Sequence, residues 1–216
     1  MLRRQASAIC YHDGVRMLLY DKTKGRLEEL KLATPPRCSL RCPAGLDDGG
    51  LDHFRRETFG SILRNALSHL GGEVELVPGD GPADLSCEPS SAEGPAVAAV
   101  LAKGFDALDL RMLCLKTHYR KPLRFDWDAL EGARAERLGW AETALRLRSR
   151  GGSLAPNPAG SAGYKKRFRD ALSDDLDFAG ALAAVWDALR PGALSPGSQR
   201  SLLEEGERVF GLLRDG

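Results

Sequence analysis

The sequence predicts a small α/β unit followed by an all-α unit, and three observations support this division. Residues 1–100 contain short apolar runs that flank a single amphipathic helix. Beyond residue 100, apolar residues recur at helical spacing in several long segments. Pro122 separates two of those helical segments. We therefore predict an α/β domain over residues 1–100 and an antiparallel helical bundle over residues 101–216.

The α/β unit is predicted to open with a β-hairpin and to continue as a βαβ unit. Residues 15–20 and 26–32 are the hairpin strands, and Gly25 supplies the permissive backbone of the turn between them. A short strand at residues 38–42, a helix over residues 51–70 and a strand at residues 73–77 follow. A helix that joins two strands favours a parallel sheet. The polar residues 79–94 are interpreted as a loop.

The helical unit is predicted from apolar spacing and from helix caps. Segments 96–103 and 107–119 precede a long helix over residues 126–149, for which Asp126 is a plausible N-cap. The predicted buried stripe of the long helix consists of Trp127, Leu130, Arg134, Leu138, Ala141 and Leu145. Trp140 lies outside this stripe.

Three further helices complete the predicted bundle. Residues 150–163 are rich in Gly and Pro and are interpreted as a flexible connector. Helices over residues 164–172 and 178–189 follow it. The last helix begins at Ser195 and Pro196, which suit a cap and a first turn, and it ends near residue 213.

Composition limits the classes of protein that the chain can represent. Lys and Arg number 31 against 30 Asp and Glu, so the net charge of +1 gives no strong field toward nucleic acid. Five scattered cysteines form no paired framework and indicate reduced thiols in a cytoplasmic compartment. No apolar run approaches the roughly 20 residues of a membrane span. An Arg-bearing start that is free of acids until Asp13 leaves organelle targeting as an alternative.

Three blocks of the sequence resemble cysteinyl-tRNA synthetases. They are residues 19–29 with Arg41-Cys42-Pro43 after them, residues 101–123, and residues 168–186 with a continuation to residue 212. The most specific part is residues 113–123, which resemble the junction between the family's catalytic half and its helical tRNA-stem domain. The resemblance implies a truncated protein in which a small Rossmann-like remnant of a class I synthetase catalytic domain precedes a stem or anticodon-binding-like domain. The resemblance also implies that the middle of the catalytic domain, with its inserted connective domain, and the far C-terminal tail are absent.

The nucleotide-binding signatures that the resemblance implies are degenerate. The family's His-x-Gly-His motif, which stabilises the phosphates of ATP at a helix N-terminus, matches Gly50-Leu51-Asp52-His53. Only His53 is retained, and the carboxylate of Asp52 would repel phosphate. The family's mobile lysine loop falls on residues 86–90, where Ser86 and Pro89 replace lysine-loop positions and Glu88 adds the wrong charge. The sequence therefore predicts no adenylation chemistry and no catalytic residues, and ATP is disfavoured as a cofactor.

Zinc is disfavoured as well. The resemblance places Cys42 at the first ligand of the family's zinc site, and the other ligands belong to the missing middle. Cys38, Cys42 and His53 do not have the spacing of a common zinc module. We interpret the two cysteines as small buried residues.

Two groups of basic residues are candidates for phosphate contact with tRNA or another structured RNA. The first comprises Lys116, His118, Arg120, Lys121 and Arg124, in the region that faces the inner corner of tRNA in the family. The second comprises Lys165, Lys166 and Arg167. Cations near a helix C-terminus are also favoured by the backbone dipole, and the second group equally suits a solvated helix face.

Three functions remain open at this point. The first hypothesis is a non-catalytic cysteinyl-tRNA synthetase-like protein that binds RNA through its helical domain. The second is a shortened ATP-dependent cysteine-activating ligase, which the degenerate signatures oppose. The third is a scaffold or subunit that docks a protein partner on surface uncovered by the missing segment.

Overall fold

The computed structural model describes residues 15–32, 37–41, 49–77, 85–149 and 157–213. The elements are, in chain order, β1 Val15–Asp21, β2 Arg26–Leu32, β3 Arg37–Arg41, α1 Leu51–His69, β4 Glu73–Val77, β5 Leu85–Ser86, β6 Ala92–Glu93, α2 Val97–Ala102, α3 Ala107–Lys116, β7 Leu123–Arg124, α4 Trp127–Ser149, α5 Pro158–Ser173, α6 Phe178–Leu189 and α7 Pro196–Phe210. Most of the described chain is helical, and small sheets lie toward its start. None of the described helices combines the length and the apolar character that a membrane crossing requires.

The predicted hairpin is confirmed. β1 and β2 pair antiparallel, with Asp21 opposite Arg26 at the turn. Gly25 has a φ of +67°, in the left-handed region that glycine adopts at little cost. The carboxylate of Asp21 accepts hydrogen bonds from the backbone N–H groups of Thr23 and Lys24 at 2.8 and 3.2 Å, which closes the turn.

The predicted βαβ unit is also confirmed. β3 lies between β4 and β5 in a three-stranded sheet and runs parallel to both. α1 connects β3 to β4, and Gly71, with a φ of +89°, follows its C-terminal end. The segment predicted to be a loop is not wholly irregular, because it contains β5 and β6, and β6 pairs in parallel with β7.

The buried stripe predicted for α4 is wrong in phase. Leu138 and Leu145 are 49% and 69% exposed, whereas Trp140 is completely buried. The buried residues of α4 are instead Leu130, Ala133, Trp140, Ala144 and Leu147. The indole of Trp140 packs edge-on against Trp186 and Phe210, with ring centroids 5.5 and 6.1 Å away. The observed phase buries the indole of Trp140 together with Leu147, and it gives the ring edge-on aromatic contacts in addition to its apolar burial.

Two predicted helix boundaries differ from those in the structure. The connector predicted to reach Gly163 is shorter, since α5 begins at Pro158 with Asn157 as its N-cap. The Asn157 side chain accepts from the N–H of Gly160, and its backbone N–H donates to Ser198 Oγ of α7 at 2.8 Å. Residues 150–156 lie outside the described residues. The helix predicted to reach Tyr119 ends at Lys116, where Thr117 becomes extended.

A single cluster of buried apolar side chains includes residues from both predicted domains. α1 contributes Phe59 and Leu63, and α7 contributes Val209 and Phe210. Asn65 of α1 also donates a hydrogen bond to the carbonyl of Val209 at 3.2 Å. The helix that follows β3 therefore packs on the last helix, while the division of the chain at residue 100 stays a prediction.

Candidate functional site

The buried side chain of Arg55 organises the segment of residues 117–124 between α3 and α4. Arg55 lies on α1 and is only 2% exposed. Its guanidinium donates hydrogen bonds of 2.8–3.4 Å to the backbone carbonyls of Ser90, Ser91, His118, Tyr119 and Lys121. Because these carbonyls converge on one buried cation, the 117–124 segment is fixed against residues 90–91.

A second buried group, the carboxylate of Asp175, ties the same segment to the hairpin. Asp175 Oδ1 accepts hydrogen bonds from the hydroxyl of Tyr119 and from the backbone N–H of Tyr20, the latter at 2.9 Å. The backbone N–H of Asp175 donates to the carbonyl of Leu18 at 2.9 Å. Burial raises the pKa of Tyr119, with the carboxylate of Asp175 adding to the effect, so its phenol stays protonated and keeps donating.

Asp175 and Asp177, which both lie just before α6, have different roles. The side chain of Asp177 caps α6 by accepting from the N–H of Gly180. Asp175 instead is buried and has a φ of +52°, an unusual conformation for a non-glycine residue. The contacts to β1 and Tyr119 hold it in that conformation.

The first basic group lies partly on this segment, and only some of its members form ion pairs. Lys116 Nζ pairs with Glu136 at 2.7 Å, and Arg120 Nε lies 2.7 Å from Asp175 Oδ2. The ring of His118 stacks on Tyr119, and its Nδ1 accepts the backbone N–H of Arg120 at 3.3 Å. Lys121 and Arg124 are exposed, and neither forms an ion pair with any residue that the structure describes. These two carry the uncompensated charge of the group.

The second basic group is neutralised by neighbouring acids. Lys165 pairs with Glu205, Lys166 Nζ lies 2.7 Å from Asp170, and Arg167 Nη1 lies 3.1 Å from Asp187. The guanidinium of Arg167 also lies over the ring of Tyr164, 4.9 Å from its centroid. This group on α5 is therefore a weaker candidate for phosphate contact than Lys121 and Arg124.

The two acids at the degenerate signatures are joined through one arginine. Asp52 Oδ2 accepts from Arg56 Nε at 2.8 Å, and Arg56 Nη1 donates to Glu88 Oε2 at 3.2 Å. Asp52 Oδ1 accepts from the backbone N–H of Ala92 at 2.8 Å, and Lys22 forms an ion pair with Glu88. We call this set of four charged residues, Lys22, Asp52, Arg56 and Glu88, the acid bridge.

The acid bridge keeps Asp52 ionised. Burial by itself would raise the pKa of Asp52, but the hydrogen bonds from Arg56 and from the Ala92 N–H hold it below its usual value. The pKa of Arg56 is correspondingly raised, mainly by its hydrogen bond to Asp52. Gly50, which takes the place of the family's first histidine, is the N-cap of α1 without a side-chain cap, and His53 is half-buried.

An open cleft lies beside the acid bridge. It has a volume of about 410 Å³ and is lined by Tyr20, Lys22, Glu88, Pro89, Ser90 and Arg120. One lysine and one arginine line the cleft, and each has an acid partner. Lys22 pairs with Glu88, and Arg120 pairs with Asp175. A phosphate in the cleft would therefore have to compete with an acid for each of the described cations that line it.

The two cysteine side chains that the structure describes lie in the interior of the protein. Cys87 and Cys114 are buried cysteines that form no disulfide with each other. Burial raises the pKa of Cys114 to about 12, so it remains a neutral thiol at physiological pH. Among the described residues, no three His, Cys, Asp or Glu side chains come together as a metal site. Cys42 lies outside the described residues, as does the side chain of Cys38.

Comparison with known proteins gives one consistent relationship. No family model matches the chain. Curated relatives include cysteine–tRNA ligase 1 of Burkholderia lata, 33% identical over 111 residues that cover 51% of this chain and 22% of the ligase. The cysteine–tRNA ligase of Novosphingobium aromaticivorans is 31% identical over 125 residues, covering 57% and 25%. That of Synechococcus sp. strain WH7803 is 29% identical over 150 residues, covering 60% and 27%.

The matches therefore extend over about half of this chain and about a quarter of each relative. The described structure adds a small parallel βαβ unit and a set of helices, which are compatible with part of a synthetase domain and a helical domain. The resemblance predicted from the three sequence blocks is confirmed, and over about half of its length the chain is cysteinyl-tRNA synthetase-like.

Proposed function

We propose that this protein is a non-catalytic cysteinyl-tRNA synthetase-like protein that binds tRNA or another structured RNA through the 117–124 segment. The observation that carries the proposal is the rigidity of this segment together with its two uncompensated cations. Arg55 turns three of its carbonyls inward, while Lys121 and Arg124 remain exposed and without ion pairs to the described residues. Cations on a fixed backbone can meet phosphates without a large ordering cost.

The same proposal includes the loss of adenylation chemistry. Adenylate formation needs cations around the phosphates in the transition state. Here Asp52 lies within the segment that matches the family's His-x-Gly-His motif, and Glu88 lies within the segment that matches its lysine loop. Arg56 and Lys22 form ion pairs with these two acids. We further propose that the parallel sheet and α1 are a Rossmann-like remnant of the catalytic domain. ATP and zinc have no part in this function.

RNA recognition of this kind would depend on shape and on phosphate spacing. Lys116 and Arg120 would add to it only by exchanging an existing acid partner for phosphate, so their contribution is smaller. The relatives are named cysteine–tRNA ligases, so tRNA is the first RNA to test. With a net charge of +1, binding must come from this local group and not from a field of the whole protein.

Charge reversal at Lys121 and Arg124 provides the test. Filter binding of total tRNA to the K121E/R124E variant is expected to be at least about tenfold weaker than to the wild type at low salt. The dependence of log K on log salt is expected to be shallower by about 1.4–1.8, because two phosphate contacts are lost. Thermal unfolding by circular dichroism verifies that the variant is folded.

A matched control is the K166E/R167E variant on α5, which reverses two cations that already have acid partners. It is expected to retain most of the affinity. An equal loss in both variants would indicate nonspecific attraction and would contradict a site at residues 117–124. Wild-type affinity no better than that of a neutral control protein would end the RNA proposal altogether.

A further inference from the structure

The outward face of α4 is apolar at its centre. Among the large apolar side chains that the structure describes, Leu138 and Leu145 are the most exposed, at 49% and 69%. They lie seven residues apart, which places them on one face of the helix two turns from each other. Glu131, Ala135 and Glu142 are exposed on the same side, opposite the face that buries Trp140.

The ends of this face carry opposite charges. Asp128 and Glu131 lie near the N-terminus of α4, and Arg146 and Arg148 lie near its C-terminus. All four are exposed, and none forms an ion pair with the parts of the chain that the structure describes. The helix dipole favours this distribution of charge, but it does not account for leucines left in water between the two ends.

The distribution of charge between the two ends of α4 is complementary to itself when the helix is reversed. Leu138 is the midpoint of α4, which runs from Trp127 to Ser149. In an antiparallel pair of two α4 helices centred on Leu138, residues equidistant from it lie at the same height along the pair. The acidic end of each helix, with Asp128 and Glu131, then lies beside the basic end of the other copy, with Arg146 and Arg148. A parallel pair would instead set like charges against each other.

We propose that α4 binds α4 of a second copy of this chain across a two-fold axis at Leu138. Such an interface is isologous, so every favourable contact occurs twice. It is independent of the RNA proposal because it uses none of the residues of the 117–124 segment. A single helix about 34 Å long offers less contact area than most stable dimers bury, so the dimer forms reversibly at high protein concentration.

The first test measures the oligomeric state. Sedimentation equilibrium over a wide range of protein concentration is expected to show a monomer–dimer equilibrium. The L138S/L145S variant is expected to remain monomeric at concentrations where the wild type is mostly dimeric. The control variant L27S/L101S removes two leucines of similar exposure from other surfaces and is expected to dimerise as the wild type does. A wild type that stays monomeric throughout, or a control that also loses the dimer, overturns the proposal.

The second test reports the direction of the helices. In the antiparallel pair, a cysteine at position 138 lies beside its own copy, whereas cysteines at position 145 are about 21 Å apart along the helix axis. Under mild oxidation, L138C is expected to form a covalent dimer above the wild-type background from the native cysteines, and L145C is not. Crosslinking of both variants would indicate a parallel pair, and crosslinking of neither would indicate no pair at all. Either result contradicts the proposal.

Discussion

Replacing Arg55 with methionine is expected to lower the free energy of unfolding by about 3–5 kcal/mol, the largest effect of any single charged residue. The guanidinium is buried and satisfies five backbone carbonyls from two separate segments. Methionine fills a similar volume but removes the hydrogen bond that Arg55 donates to the carbonyls of Ser90 and Lys121. The other three carbonyls keep one backbone N–H donor each and lose the second. Burial lowers the pKa of Arg55, which reflects the cost of keeping the charge inside, yet the side chain remains a cation at neutral pH.

Urea denaturation followed by circular dichroism measures this effect. Arg55→Lys retains the charge but cannot reach all five carbonyls with one ammonium group, so an intermediate loss is expected. Arg64→Met is the matched control, because Arg64 is exposed on the same helix, and its change should stay within about 0.5 kcal/mol. A loss at Arg55 no greater than the loss at Arg64 would show that the carbonyls do not depend on the guanidinium.

Replacing Trp140 with alanine is expected to cost about 3–5 kcal/mol, the range found for large aromatic residues in closed cores. Its ring is completely buried against Trp186 and Phe210, and its indole N–H donates to Glu207 Oε2 at 3.0 Å. The loss of this donor also leaves Glu207 with one partner fewer in a site where burial already raises its pKa. The same urea titration measures the change.

Leu138→Ala is the control, because this residue belongs to the stripe that spacing alone predicts to be buried. Its side chain is half exposed, so its removal is expected to cost less than about 0.5 kcal/mol when measured at low protein concentration. A larger loss of unfolding free energy at Leu138 than at Trp140 would support the buried stripe that the sequence predicts for α4, and it would contradict the observed packing.

The buried face of α4 could not be predicted from the local sequence. Two sets of positions on α4 have helical spacing, and one contains Leu138 and Leu145 while the other contains Trp140 and Leu147. What decides between them lies on another helix. Gly206 of α7 leaves room for the indole, because a Cβ at that position would come within 3.0 Å of the Trp140 ring. No local pattern around Trp140 reports on a glycine 66 residues away.

Other elements could be predicted from the local sequence alone. The hairpin turn at Gly25 and the start of the last helix at Ser195 follow from residues within a few positions of each feature. The start of α5 at Pro158 was missed although its cap is equally local. The run of small residues after it is typical of a connector, and the contact of Asn157 with Ser198 of α7 secures the helix there.

The candidate site was predictable only in part. Asp52 and Glu88 were identified through the family resemblance, and Arg56 could have been added because it lies four residues beyond Asp52 on the same helix. The role of Arg55 was missed, although an arginine among the apolar positions of α1 is a signal of a buried polar network. The contribution of Lys22 and the position of Asp175 depend on how β1 meets the rest of the chain.

ATP–pyrophosphate exchange with cysteine tests the central claim most directly, namely that adenylation is lost because Ser86 and Pro89 occupy the lysine-loop positions and the acids nearby form the acid bridge. The purified chain is expected to give no exchange above a heat-inactivated blank, under conditions in which the cysteine–tRNA ligase of Burkholderia lata is active. Exchange above that blank, abolished by His53→Ala and therefore not due to a contaminating ligase, would contradict the account.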